Sequence, residues 1–543
     1  MNSYTHMKLA LLAATAASGL VVSSVPARAD DADQRIKSIE QQIQALQNEL
    51  HRVRHDLSAR DAQVRDAQAQ AARAKQESEN ARAVALQAQA RSLYPQTTAN
   101  PLLPAPGAPA GAPPASMGYV TFPKGRPTLT SADGKYSFSI GLQFQYDFGG
   151  FASTNHGVPT ILNSSGTPTQ NTRLTPFSQN LRRMRIPLTF KAGDFVINVT
   201  PDFGNSLDGA TRLYEANFNY VGLKPFTFTA GYFKPWLTLA DAASSNDFLF
   251  LERPSIMEIA RNIAGGDARG SFGASANGNR WFVASYLTTS SWGNQNNYGT
   301  AVYYNSEQMG GTFRIAGRPV ATKNVDLHLG FSGSDVWQLN RGYGTASPTF
   351  QLRDWPELRL DNNRILDTGA LPASDVYEFG PEFGLRYRNF LLEGEWVQIG
   401  VNRSDIQSST PLPDLTFDGG YVEASWVLTG ETRKYNPAAA AFTRPNPAHS
   451  VLDGGWGAFE LAARYSVADL NDDVTPNVST AKTGGARGGR QQVESFSLSW
   501  YPTNNLRAIL DYEILGIDKI DSTGKTQIGE NAQAVAVRLQ AAF

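Results

Sequence analysis

The sequence predicts an all-β protein, a 16-stranded antiparallel transmembrane β-barrel preceded by an α-helical coiled coil. Three observations predict it. Apolar and polar residues alternate with the period of a strand from about residue 135 to the C-terminus, heptads run ahead of that region, and the links between alternating segments are short and long by turns. No run approaches the ~20 apolar residues that a helical membrane span needs. The modest bulk polarity, with 18% charged residues, is compatible with a barrel, because only every second residue of each strand meets lipid.

The N-terminal 29 residues read as an export signal. Leu9 to Val25 are apolar or small, and Ala27-Arg28-Ala29 forms a cleavage pattern before Asp30. The chain contains no cysteine, which removes thiol chemistry and suits an exported protein that avoids unwanted disulfides. Residues 30–94 are expected to form a periplasmic coiled coil. The a positions are Ile36, Ile43, Leu50, Leu57, Val64, Ala71, Ser78 and Ala85, and the d positions are Ile39, Leu46, Val53, Arg60, Ala67, Ala74, Ala81 and Ala88. A lone helix would leave that seam exposed, so it is expected to pair with copies of itself, and isoleucine at both a and d near Ile36 leans toward three or more chains. Residues 95–116 hold Pro101, Pro104, Pro106, Pro109, Pro113 and Pro114 among alanine and glycine, a density through which no helix continues. They read as a semi-rigid linker.

The barrel is expected over 117–543. Its clearest segment is Tyr136 to Phe148, where Tyr136, Phe138, Ile140, Leu142, Phe144, Tyr146 and Phe148 alternate with polar residues or glycine. The sixteen candidate strands are 135–148, 181–191, 194–203, 211–223, 225–234, 268–276, 280–289, 308–318, 325–334, 376–389, 390–400, 418–429, 456–468, 491–502, 505–516 and 530–543. An even count fits a closed single-chain bacterial barrel, as do short periplasmic turns alternating with long outer loops. Gly430 to Gly455 breaks that alternation by being long where a short turn is expected. The last strand alternates to a terminal Phe543, similar to the signal by which outer-membrane insertion machinery recognises its clients.

Several blocks carry a family resemblance: Gly231-Tyr232-Phe233-Lys234-Pro235-Trp236, Phe250-Leu251-Glu252-Arg253-Pro254, the run from Gly420 to Tyr435, the run from Gly454 to Ser466, and Leu498-Ser499-Trp500-Tyr501-Pro502. They resemble the phosphate-selective porin O and P family over about residues 117 to 543. The resemblance implies a homotrimer of 16-stranded barrels in the outer membrane of a Gram-negative bacterium. It also implies a third outer loop that narrows each pore, and passage of anions, phosphate or polyphosphate above all, along arginine and lysine side chains. The alternatives are a porin of general selectivity and a structural anchor tethered to the cell wall through its coiled coil.

Residues 117–543 carry 36 lysines and arginines against 39 aspartates and glutamates, a net charge of −3. Any anion preference must therefore come from where the cations point, since cations in a low-dielectric constriction focus the field. With Met184, Ile186, Leu188 and Phe190 facing lipid, Arg183, Arg185 and Lys191 face the lumen; a cation on the lipid face at the midplane costs ~2–4 kcal/mol. Arg182 falls on the lipid side by alternation and joins the candidates because it lies near a strand end. Loop 235–267 follows Lys234 and contains Arg253 and Arg261 beside Phe248, Leu249, Phe250, Leu251, Ile256 and Ile259. Its apolar content predicts that it folds into the barrel and packs on the wall. The candidate anion-binding or constriction residues are thus Arg182, Arg183, Arg185, Lys191, Lys234, Arg253 and Arg261. Arg314, Arg318, Arg386, Arg388, Arg464, Arg507 and Arg538 also fall on the lumenal side, opposed by Asp147, Glu215, Asp326, Glu382, Glu393, Glu395, Glu423, Glu460 and Glu513.

No catalytic motif is present, and the six histidines are scattered, so neither enzyme activity, a metal nor a cofactor is expected. The expected partners are further copies of the chain, membrane lipid, the insertion machinery and the cell wall, with no nucleic acid.

Overall fold

The computed structural model describes Gln44 and residues 118–153, 161–162, 168–170, 174–204, 211–267, 269–291, 307–340, 348–404 and 411–543. Sixteen staves close a barrel. They are Tyr136–Ile140 continued by Gln143–Ser153 (β1), Ser178–Arg185 continued by Leu188–Ala192 (β2), Phe195–Asp202 (β3), Arg212–Tyr220 (β4), Phe226–Phe233 (β5), Arg269–Asn277 (β6), Trp281–Ser291 (β7) and Met309–Ala321 (β8). The second half comprises Val325–Gln338 (β9), Leu371–Tyr387 (β10), Phe390–Arg403 (β11), Leu415–Val427 (β12), Ala458–Asp472 (β13), Ala486–Tyr501 (β14), Leu506–Asp518 (β15) and Glu530–Ala542 (β16). Each pairs antiparallel with its chain neighbours, and β16 closes on β1 from Ala542 opposite Gln143 to Ala532 opposite Ser153. Closure leaves no backbone edge in the hydrocarbon. Every candidate strand coincides with a stave. Below β1 a short ribbon, Tyr119–Thr121 and Thr128–Thr130, extends the sheet on the periplasmic side.

Alternation sorts the side chains as a barrel requires. On β13, Leu461, Ala463 and Tyr465 face outward while Glu460, Ala462, Arg464 and Ser466 are buried. The outward face is a belt of exposed aromatic and branched residues that includes Trp426, Leu461, Phe496 and Leu510, as membrane immersion demands. No helix among the described residues is long and apolar enough to cross a membrane.

The expected fold class needs a correction. The barrel stands, but no coiled coil precedes it among the described residues, and the seam from Ile36 to Ala88 lies outside them except for Gln44. A heptad pattern states a preference for burial, and here no described partner helix meets it. The signal segment 1–29 and the linker 95–116 also lie outside the described residues.

The outer loop between β5 and β6 turns into the lumen. It carries two helical turns, Leu239–Ala242 (α1) and Ser255–Arg261 (α2). Ile256, Met257, Ile259, Ala260, Ile263 and Ala264 are fully buried against Val336, Val376, Val397, Ile399 and Phe417 on the lumenal wall of β9–β12. Gly419 permits this approach, since a Cβ there would lie 2.8 Å from Ile256. The loop between β9 and β10 backs it, with Leu358, Leu360 and Ile365 packed against Leu251 and the wall.

Candidate functional site

The long link between β12 and β13 also enters the lumen, from the periplasmic end. Its hairpin, Tyr435–Asn436 paired with Ala441–Phe442, is pinned by Arg314 of β8, which donates to the carbonyls of Ala439 at 2.7 Å and Ala440 at 2.8 Å. Arg433 grips Glu460 of β13 with two bonds at 2.6 and 2.8 Å and donates to the Asp247 carbonyl at 2.8 Å. Here the link meets the β5–β6 loop. The exception to short periplasmic turns is therefore a second inward fold.

The opposite wall supplies Arg183 and Arg185 from β2 and Lys234 just after β5, and Gln143 and Gln145 of β1 tie it to Ser245 and Asn246 of the inward loop. Arg183 and Arg185 point inward, as alternation predicts. Arg182 does so for a different reason: Gln145 pairs with Arg183 and Tyr146 with Leu181, which leaves Arg182 as the extra residue of a β-bulge. A bulge re-aims its unpaired residue, and Arg182 reaches Glu252 of the β5–β6 loop at 2.5 and 2.9 Å. A second bulge leaves Tyr214 of β4 unpaired between Leu213 and Glu215. By alternation Tyr214 shares a side with the exposed Phe218; instead its ring lies 3.3 Å from the Arg185 guanidinium.

Between this wall and the two inward folds lies a cavity of about 300 Å³. Arg183, Arg185, Lys234 and Arg253 line it, against the carboxylates of Asp247 and Asp267. The cations are unequally satisfied. Arg185 holds Asp202 at 2.8 Å. Lys234 and Arg253 lie 3.7 and 3.8 Å from Asp241, and Arg253 also donates to the Ala240 carbonyl at 2.8 Å. Arg183, only 2% exposed, bonds Gln145 at 2.6 Å and lies 3.7 Å from Glu252.

Carboxylates of the far wall are taken up elsewhere. Glu395 accepts the amides of Leu239 and Ala240 at the start of α1, the latter at 2.8 Å. Glu382 pairs with Arg314 at 3.0 Å, and Asp511 accepts the Leu251 amide at 3.0 Å. The inward loop thus covers much of the acidic side and leaves the basic side facing the cavity. Within that loop, burial by itself would raise Glu252, but Arg182, Arg183 and Arg538 hold it well below the usual carboxylate range. Glu258 feels the same opposition, and Arg261, Arg359 and Arg253 bring it down to about 2.

Of the seven candidates, Arg183, Arg185, Lys234 and Arg253 meet at the cavity, and Arg182 stands behind them on Glu252. Arg261 is a strut: its guanidinium, 1% exposed, binds Asp241, Glu258 at 3.1 Å and Asp267 at 2.6 Å. Lys191 is exposed near the periplasmic end of β2 and does not line the cavity. The residues missed by sequence reasoning are Tyr214, turned inward by its bulge, and the Asn436 to Thr443 stretch of the link, whose only signal was the link's unexpected length.

A family model for phosphate-selective porin O and P matches residues 138–543. An uncharacterized protein of Caulobacter vibrioides is 29% identical over 207 residues, which is 38% of this chain and spans only 37% of that protein. Porin O of Pseudomonas aeruginosa is 23% identical over 448 residues, covering 77% of this chain and 91% of its own length. Among solved structures, OmpT of Vibrio cholerae aligns at 8% identity with a TM-score of 0.43, over 75% of this chain and 98% of that one. With the family model matched across all sixteen staves, this is a β-barrel channel protein of the outer membrane, and the chain belongs to the phosphate-selective porin O and P family.

Proposed function

We propose that the protein is a water-filled channel of broad selectivity for small solutes, with an anion preference set at the 300 Å³ cavity. The observation that carries this reading is the lining itself: four cations against two carboxylates, in a barrel whose bulk charge is negative. Such a local excess attracts anions without excluding other solutes. The narrower expectation, dedicated passage of phosphate, has less support. Arg183, Arg185 and Arg253 already face carboxylates, and a guanidinium fork serves a carboxylate as well as a phosphate. Assembly as a homotrimer and handling of the strand ending at Phe543 by the insertion machinery belong to the same proposal and rest on the resemblance.

The test is a reversal potential in a chloride gradient across a planar bilayer, repeated with phosphate added. The expected result is a steady current with modest anion preference and weak inhibition by phosphate. Strong inhibition of chloride current by dilute phosphate would favour the dedicated phosphate channel, and absence of current would leave only an anchor.

A further inference from the structure

The cavity lining joins the arginines to an apolar set, Trp236 and Ala243 of the inward loop with Ala439, Ala441 and Phe442 of the link, interleaved with Ser244, Ser245, Asn436 and Thr443. The aromatic pair is firmly placed. Phe442 packs edge-on against Tyr435, centroids 5.1 Å apart at 81°, and the Tyr435 hydroxyl is bonded to His328 Nδ1 at 2.8 Å. Gly384 of β10 makes room for the Phe442 ring, since a Cβ there would lie 2.9 Å from it. Trp236 packs edge-on against Phe282 at 6.1 Å and 85°. Arg183, in the same lining, is buried, and its Nε has no hydrogen-bond partner among the described residues.

From this juxtaposition we infer that the cavity favours organic carboxylates with an apolar or aromatic body over inorganic oxyanions. A carboxylate of this kind places its charged end at Arg183 and its body against Phe442 and the alanines, releasing water from apolar surface on both sides. A hydrated phosphate gains the guanidinium contact but no apolar burial, and it must shed water against the Trp236, Phe442 and alanine surfaces, which return no hydrogen bond. The same wall distinguishes benzoate from acetate, two carboxylates of equal charge. This inference rests on the channel reading above and adds the class of solute that dwells longest in the cavity.

The experiment measures inhibition of chloride current through the full-length protein in planar bilayers by benzoate, acetate and phosphate. The expected result is half-inhibition by benzoate at a concentration at least about five-fold below that for acetate, within the range one apolar contact surface confers, with phosphate no better than acetate. Phe442→Ala should reduce the benzoate-to-acetate ratio to below about two-fold with phosphate inhibition unchanged, and Trp236→Leu should leave most of it, because apolar bulk is retained. Equal inhibition by benzoate and acetate in the unaltered protein overturns the inference and leaves the channel reading intact. So does a ratio that survives Phe442→Ala. A protein that inserts but carries no current removes the channel reading itself. The unaltered protein alone decides the matter if the Phe442 variant does not insert.

Discussion

The Arg183 guanidinium lies 3.7 Å from Glu252, a carboxylate already gripped by Arg182 at 2.5 Å and Arg538 at 3.0 Å. Arg538 is also held by Asp147 at 2.6 Å, so three guanidiniums share two carboxylates and Arg183 is left with the weakest claim. Of the three, Arg183 alone lines the cavity.

Arg183→Gln should therefore lower the anion-over-cation preference while leaving the barrel folded. At 4 Å and an effective dielectric near 20, one charge interacts with an anion at ~4 kcal/mol before desolvation. A surviving ~0.5–1 kcal/mol gives a loss of about two- to five-fold, read from the reversal potential. Arg185→Gln differs, because it strands Asp202 without its partner, and such a loss costs ~3–5 kcal/mol. Its signature is a lower melting temperature of the folded barrel on gels. An unchanged reversal potential for Arg183→Gln would remove that residue from the conducting path.

Replacing Asp241 to Asp247 with a short Gly/Ser link should raise conductance, since this stretch includes Ala242, Ala243, Ser244, Ser245 and Asp247 of the cavity lining. It should also raise anion preference. Asp241 faces Lys234, Arg253 and Arg261, and its removal frees their charge. Larger current with unaltered selectivity would show that Lys234 and Arg253 do not face the permeating ions.

Acid should loosen the inward loop. Glu252 and Glu258 have folded-state values below the ordinary carboxylate value of 4.5, with Glu258 at about 2. The stability they contribute is complete above 4.5 and disappears as pH falls from there toward 2, because protonation removes the charge that the arginines hold. Conductance should fluctuate more below about pH 4 than at pH 7. Equal noise at pH 7 and pH 3 would place the loop's anchorage in its apolar face alone.

Arg314→Met should release the periplasmic link. It removes both bonds to Ala439 and Ala440 and leaves Glu382 buried with one partner fewer; losing one member of such a pair costs ~3–5 kcal/mol. Trypsin should then cleave after Arg433, which is 3% exposed in the intact protein, and channel current should become noisier. Protection equal to that of the unaltered protein would mean that Arg433–Glu460 suffices to hold the link.

The staves were legible because alternation is a local property: Tyr136 to Phe148 states by itself which side is apolar, whatever the rest of the chain does. The inward loop was legible for a related reason. Ile256 and Ile259 are too apolar for a watery surface, and the lumenal wall is the apolar surface within reach. The family blocks from Gly420 to Pro502 pointed to the same architecture that the staves confirm.

What the residues could not disclose was the register and pairing by which distant segments meet. Alternation put Arg182 and Tyr214 on the lipid side, and single bulges, set by register against β1 and β3, turned both inward. The heptads described a seam with no described partner. Most consequentially, composition sets a net charge of −3 for residues 117–543, whereas the packing of the inward folds selects which charges line the cavity. The far-wall carboxylates of Glu395 and Asp511 are spent on loop amides and Glu382 on Arg314, while Arg183 keeps a Gln145 bond and a 3.7 Å contact with the shared Glu252, because pairing follows distance in space and alternation knows only distance along the chain.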